Sequence, residues 1–250
     1  MSWDNVWIIG ASTGIGHQIA VQLQGKVKHI VISARSEDKL QEMAKDNPSV
    51  HPYTFDVTDR DQAAQVLNRI EADIGLPDLV IYNPGLLKTY NTIHKFSADD
   101  CLQALSVNYM GAIYLLESLL PRMIKRGSGH IALTGSISSF RGIPGFAAYG
   151  PTKAAINNLA ETLKLDLAPH NINVSVINPG FIDTPMTEDT LSRMPFKMTV
   201  DDAASRIIKG LESKRYEIAF PFTSVRLLKR LRSFPHSLFF FIAKRFLNFT

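Results

Sequence analysis

Short runs of consecutive apolar residues alternate along this chain with longer segments whose apolar positions recur at helical spacing. Val6-Trp7-Ile8-Ile9, His29 to Ala34, Tyr53-Thr54-Phe55, Asp78 to Tyr82, His130 to Thr134 and Ile172 to Ile177 read as strands, with Tyr216 to Phe220 as a seventh, at an edge. Between them lie helical patterns: His17 to Gln24, a helix capped by Ser36 and running to about Lys45, and Asp59 to Ile74 with Val66, Leu67 and Ile70 as its buried stripe. Ala98 to Arg126 reads as one long helix, with Leu102, Leu105, Val107, Leu115, Leu116 and Leu119 turned to a core and Asn108 in its middle. Ala147 to Leu167 is another, and a last one starts at Thr199 or Val200 and ends at Glu212. Strands alternating with helices predict an α/β fold: one doubly wound parallel sheet of about seven strands flanked by helices.

The candidate chemistry lies at the ends of these apolar runs. The first strand gives way to Gly10-Ala11-Ser12-Thr13-Gly14-Ile15-Gly16, a G-x-x-x-G-x-G turn leading into a helix. Glycines permit positive φ and close backbone approach, and the helix start offers unpaired N–H groups that attract a diphosphate. A dinucleotide is the natural ligand, which would make the sheet Rossmann-type; the alternative is a plain tight turn, since the spacing differs from the commoner G-x-G-x-x-G. The second strand ends at Ala34-Arg35. An acid there would bond a ribose 2′-hydroxyl, so a cation in its place favours NADP, with NAD as the alternative if Arg35 is only a solvated loop residue. Asp56 and Asn83 close the third and fourth strands, on the edge where open α/β sheets bind adenine and ribose; the alternative is that each merely forms a turn.

Tyr149 and Lys153 stand four residues apart, so on a helix they share a face and can share a ligand. A Tyr exchanges protons poorly near neutrality unless a positive charge stabilises its phenolate, and Lys153 could supply that charge. Ser136 comes just after the fifth strand, and the segment Phe181 to Met198 has the length of a lid, with Met186, Leu191, Met194, Pro195, Phe196 and Met198 as its apolar surface.

Taken in order, Gly10-x-x-x-Gly14-x-Gly16, Asp56, Asn83-x-Gly85, Asn108, Ser136, Tyr149-x-x-x-Lys153 and Pro179-Gly180 with Thr184 resemble the short-chain dehydrogenase/reductase family over roughly residues 5 to 220. The resemblance implies a catalytic tetrad of Asn108, Ser136, Tyr149 and Lys153. It implies NAD(P) contacts at Gly10, Ser12, Thr13, Gly14, Ile15, Gly16, Arg35, Asp56, Val57, Asn83, Gly85, Tyr149, Lys153, Pro179, Gly180, Ile182 and Thr184. The expected reaction is hydride exchange between NADP(H) and a carbonyl or alcohol. Tyr149 would be the proton donor or acceptor, its pKa lowered by Lys153 and a cationic nicotinamide; Ser136 would hold the oxygen. Lys153 would bond the ribose, and Asn108 would hold a water. Two stretches depart from the family pattern: Ile9 replaces a Thr before the first glycine, and Tyr82-Asn83-Pro84-Gly85 replaces Asn-Asn-Ala-Gly.

Composition changes this picture mainly at the end of the chain. The 45% hydrophobic and 20% charged content of the 250 residues suits one large domain, taken as residues 1–220 with an extension over 221–250. Of the net charge of +4, six cations follow the last acid, Glu217, so the chain before residue 218 sums to −2. Eight of the fourteen Phe lie in that same tail. Thr223 to Arg232 reads as a basic amphipathic helix, and Leu238 to Ala243 is far too short to span a bilayer. Cations beside aromatics suit an anionic lipid surface and a lipophilic substrate. The competing readings are that the tail packs on its own core, covering the substrate pocket, or on a second subunit of a homo-oligomer. Nucleic acid is not expected as a partner, since the basic stretch is isolated. The single Cys101 and the absence of a signal-peptide pattern before Trp3 predict a reducing, cytoplasmic setting, and the scattered histidines predict no metal site. The alternative to an enzyme is a non-catalytic nucleotide sensor or scaffold that binds partners through the tail; it would be expected to have lost Ser136, Tyr149 or Lys153.

Overall fold

The computed structural model describes residues 3–90, 93–187 and 198–246, and in it the apolar runs become one parallel sheet. β1 (Asn5–Ile9), β2 (His29–Ser33), β3 (Val50–Pro52), β4 (Leu79–Tyr82), β5 (Gly129–Thr134), β6 (Ile172–Pro179) and β7 (Glu217–Phe220) lie in the order β3-β2-β1-β4-β5-β6-β7. Successive side chains leave opposite faces of each strand. Trp7, Ile9, Val31, Val80 and Tyr82 join one core with α3 (Arg60–Asp73), α5 (Gly111–Arg126) and α6 (Gly150–Asp166). Val6, Ile8, Ile30, Ile32, Leu79 and Ile81 join the other with α1 (Gly14–Leu23), α2 (Glu37–Ala44) and α7 (Val200–Glu212). Helices cover both faces, which is why the strand sequences are continuous apolar runs.

The structure departs from the sequence reading in three places. The third strand is Val50–Pro52, not Tyr53 to Phe55, because Val50, His51 and Pro52 align with Ile30, Val31 and Ile32. Tyr53 instead sends its hydroxyl to Asp73 Oδ2 on α3, 2.7 Å away. Ser36 holds the N-cap position of α2 but makes no side-chain cap bond, whereas Asp59 accepts from the amides of Asp61 and Gln62 to cap α3. The long helix is broken: α4 (Ala98–Leu105) runs into a π turn, Ser106–Met110, before α5 begins. A π turn takes up extra residues and shifts the helical phase, so Leu102 and Leu105 face solvent while Leu115, Leu116 and Leu119 are buried.

The tail forms α8 (Phe222–Arg232) and α9 (His236–Phe246), and it packs on its own core: Val225 is buried against Ile137 and Phe140. Among the described residues no helix is long and apolar enough to cross a membrane.

Candidate active site

The strand order reverses between β1 and β4, and a crevice at such a point is where open α/β sheets bind ligands. Gly10, at φ 79°, turns the chain off β1, and Gly14, at φ 60°, starts α1. A side chain at Gly16 would strike the Gly10 carbonyl oxygen, so only glycine lets α1 sit this close to the turn. No side chain caps the start of α1, which leaves its first-turn amides to a ligand. Asn83, after β4, bridges the crevice: its Nδ2 donates to the Gly10 carbonyl at 3.3 Å, and its Oδ1 accepts from Thr134 Oγ1 at 3.2 Å.

These elements enclose a cleft of about 330 Å³. Gly10, Ser12, Thr13, Gly14, Ile15, Arg35, Asp56, Val57, Asn83, Gly85, Pro179, Gly180, Ile182 and Thr184 line it, as do Ser136, Tyr149 and Lys153. Gly16 and Asn108 do not; they stand behind the wall. The lining also includes Pro84, Val107 and Met186, the last of which lies over Gly85. Of the anticipated lid, Leu191, Met194, Pro195 and Phe196 lie outside the described residues. Its base is closed by the amide of Asp183 donating to the Met198 carbonyl at 3.0 Å and the amide of Met198 donating to Phe181 at 3.2 Å.

Helix α6 delivers Lys153 into the wall. The side chain is 2% exposed, and its Nζ donates to the Thr134 carbonyl at 2.8 Å, leaving two of its three protons for other acceptors. Its ammonium stands 5.7 Å from the centre of the Tyr149 ring. Burial pushes Lys153 down to about 7 and the Tyr149 phenol up to about 12. The expected lowering of Tyr149 by Lys153 is therefore not what prevails: loss of water around the phenol wins, and the downward pull on it comes from its hydrogen bond with Ser136. Ser136 Oγ accepts from the amide of Ser138 at 3.2 Å and from Ser138 Oγ at 3.0 Å. With both acceptor positions engaged, its own proton is the one it has to offer.

Asn108 acts as a clamp. Its Oδ1 accepts from the amide of Leu86 at 2.7 Å, and its Nδ2 donates to the Leu86 carbonyl at 3.1 Å and to Thr152 Oγ1 at 2.9 Å. The loop after β4 is thus tied to the helix that carries Tyr149 and Lys153. Tyr82, one of the two departures from the family pattern, serves the same region: its buried hydroxyl donates at 2.6 Å to the Val107 carbonyl inside the π turn. A side chain at Gly111 would collide with that hydroxyl, so Tyr82 and Gly111 fit as a pair.

Two contributors escaped the sequence reading. Asn157 donates to the Lys153 carbonyl at 2.9 Å, to Ser139 Oγ at 3.0 Å and to Asn178 Oδ1 at 3.1 Å, and Asn178 donates back at 2.8 Å. The signal was present, since Asn157 continues the Tyr149 and Lys153 stripe by another four residues. Its partner on β6 was not legible.

The model of the short chain dehydrogenase family matches residues 4–195. The chain belongs to the short-chain dehydrogenase family. As a member it is an NAD(P)-dependent oxidoreductase, consistent with its relatives. An uncharacterized oxidoreductase of Myxococcus xanthus is 29% identical over 249 residues, covering 98% of each chain. The Drosophila melanogaster dehydrogenase/reductase SDR family protein 7-like is 30% identical over 260 residues, covering 96% of this chain and 79% of that one. A short-chain dehydrogenase from Sphingobium yanoikuyae, solved in complex with NADPH, superposes with a TM-score of 0.79 at 25% identity over 87% of each chain. One from Burkholderia cenocepacia, solved in complex with NADP, shares the fold at a TM-score of 0.83, with 24% identity over 98% of each chain. Within this short-chain dehydrogenase, the glycine turn, the uncapped α1 and the cleft-lining Lys153 fit a nicotinamide dinucleotide.

Proposed function

We propose that this short-chain dehydrogenase uses NADP(H) to interconvert a lipophilic carbonyl compound and its alcohol at a membrane surface. The observation that carries the chemistry is the convergence of Ser136, Tyr149 and buried Lys153 on one wall of the cleft that the glycine turn opens. When bound, the nicotinamide supplies or takes up the hydride. The chain's own residues handle the proton. Ser136 offers its hydroxyl proton to the substrate oxygen and holds it beside Tyr149. In reduction, the Tyr149 phenol, protonated at neutral pH, gives its proton to that oxygen as negative charge develops there; in oxidation it takes the proton back. Lys153, with two uncommitted protons, holds a ribose hydroxyl and stabilises the phenolate that each reduction leaves behind. Asn108 and Asn157 keep the helix and both loops in register for that transfer. A panel of aldehydes and ketones of rising chain length, assayed with NADPH, tests the reading. Turnover should improve with chain length, and no turnover of any carbonyl would sink it.

Arg35 supports NADP over NAD. Its side chain is 75% exposed at the cleft rim, 4.0 Å from Asp56 Oδ2, and so is free to move onto a 2′-phosphate. A hydrogen bond to a charged group contributes about 1.5–3 kcal/mol, so Arg35→Ser should weaken NADPH binding about 10-fold or more. NADH binding should stay as it is. Equal losses for both nucleotides, measured by nucleotide fluorescence, would remove the basis for the preference.

The tail supports the membrane surface and the lipophilic substrate. Phe222, Phe240 and Phe241 are 69%, 54% and 70% exposed, and Arg226, Arg230, Arg232, Lys244 and Arg245 stand exposed among them with no acid. Each such cation gains about 1 kcal/mol beside anionic headgroups, and the rings enter the interface. The full chain should co-sediment with phosphatidylglycerol vesicles, and Phe240→Ser with Phe241→Ser should weaken this about 10-fold or more. Failure of the unaltered protein to bind such vesicles would reject the contact.

A further inference from the structure

Among the described residues the lining of the cleft includes none beyond Thr187, so α8 and α9 stand outside it. What they touch is the segment directly after Ser136. Val225 of α8 is buried against Ile137 and Phe140, and Lys229 places its ammonium 5.6 Å from the centre of the Phe140 ring. The same lysine pairs with Glu217, whose Oε1 accepts from Asn178 Nδ2 at 3.3 Å. Asn178 is bound in turn to Asn157, which reaches Ser139 and Lys153.

Arg141 closes this arrangement from the loop side. Its Nε donates to the Leu231 carbonyl at 3.3 Å, and one terminal nitrogen donates to the carbonyls of Arg232 at 2.9 Å and Phe234 at 2.6 Å. Leu231 and Arg232 end α8, where carbonyls favour a nearby cation; the Leu231 carbonyl also accepts from the amide of Phe234 at 3.3 Å. The guanidinium plane also lies 4.7 Å from the centre of the Phe239 ring of α9, and Phe239 is 5% exposed. A planar fork can serve several carbonyls and a ring face together. Arg141 therefore joins three pieces: the end of α8, the start of α9, and a loop whose other end is Ser136.

We propose that Arg141 is a positioning residue for Ser136. By pinning the two C-terminal helices onto residues 137–141, it fixes the direction in which the Ser136 hydroxyl presents its proton; this rests on the role given to Ser136 above. The short turn Ile137–Ser139 holds itself with the amide of Ser139 donating to the Ser136 carbonyl at 3.0 Å, the amide of Phe140 donating to Ile137 at 3.2 Å, and the bonds of Ser136, Ser138, Ser139 and Asn157. The buttress from α8 and α9 fixes where that turn sits. The basic tail, set apart from the core by its composition, thereby becomes part of the catalytic apparatus.

The full-length protein carrying Arg141→Ala tests this by amide hydrogen exchange, which needs no substrate. The amides of Ser138, Ser139 and Phe140 should exchange about 10-fold faster or more, while those of β1, β4 and β5 keep the wild-type rate. NADPH affinity should hold within about 2-fold, because the glycine turn is untouched. With 4-nitrobenzaldehyde as hydride acceptor, kcat should fall about 10- to 100-fold with little change in KM, the pattern of misplaced chemistry and not of lost binding. Phe239→Leu, which keeps an apolar filler but removes the ring under the guanidinium, should move the same amides in the same direction and by less. Unchanged exchange at residues 138–140 in both variants overturns the proposal, as does a loss of NADPH affinity in step with kcat. Since exchange and nucleotide binding are read without any carbonyl, an error in the substrate reading does not disguise the outcome.

Discussion

Replacing Tyr149 by Phe is expected to lower turnover about 10²- to 10⁴-fold, the contribution of a positioned general acid or base. The substitution removes one oxygen and little else. The ring can keep its edge contact with Phe146, whose centre lies 6.3 Å away at an interplanar angle of 67°. Lys153 keeps its bond to the Thr134 carbonyl, and the glycine turn is distant in the chain, so NADPH binding should change by less than about 10-fold. The measurement is steady-state oxidation of NADPH with the best carbonyl of the panel, beside a nucleotide titration of the same preparation. Retained turnover would show that another group moves the proton. A collapse of nucleotide affinity would instead make Tyr149 a structural member of the cleft.

Replacing Lys153 by Met should divide function from stability. Activity should fall by a comparable factor, because no cation is left to stabilise the phenolate that Tyr149 becomes. Stability of the cofactor-free protein should rise at neutral pH. Lys153 is held at about 7 against an ordinary value of 10.5, so the unfolded chain binds its proton more tightly than the native one across that window. By linkage this burial costs on the order of 4 kcal/mol at pH 7 and less as pH rises towards 10.5. Against that gain, the variant loses the bond to the Thr134 carbonyl, which is left unsatisfied at a cost of about 1–3 kcal/mol. The balance favours Met at pH 7, with about 2–4 °C in Tm for each kcal/mol gained. It should reverse near pH 10.5, where the burial penalty has gone and only the lost bond remains. Thermal melts of both proteins at pH 7 and across the alkaline range will show this crossing, and a variant less stable at every pH would mean that Lys153 is not held near 7 by burial.

Much of the fold is legible in side-chain periodicity, because a sheet covered on both faces makes every strand an apolar run and every flanking helix a stripe. Six strands come from those runs at nearly their true bounds. The third does not: Val50–Pro52 is short, lies at the edge and ends in a proline, so its register depends on Ile30, Val31 and Ile32 of a neighbouring strand and not on its own apolar content. The break in the long helix is hidden for a related reason. Nothing local marks Ser106–Met110 as a π turn, since the group that takes its Val107 carbonyl is Tyr82, from another strand.

The same division runs through the site. By itself the sequence determined the chemical roster: a glycine turn after the first strand, a cation after the second, and Tyr149 and Lys153 one helical turn apart. Those relations are local, set by spacing of four residues or fewer or by position at a strand end. Only the tertiary structure decided the electrostatics and the connections. Lys153 is depressed and Tyr149 raised because the packed protein removes water from both, and burial is a property of every neighbouring element together. Asn157 meets Asn178, and Arg141 meets the ends of α8 and α9, across 21 and 90 or more residues of chain. Such partners can be named only once the chain has closed on itself, because a hydrogen bond is specified by distance and direction in space and leaves no period in the sequence.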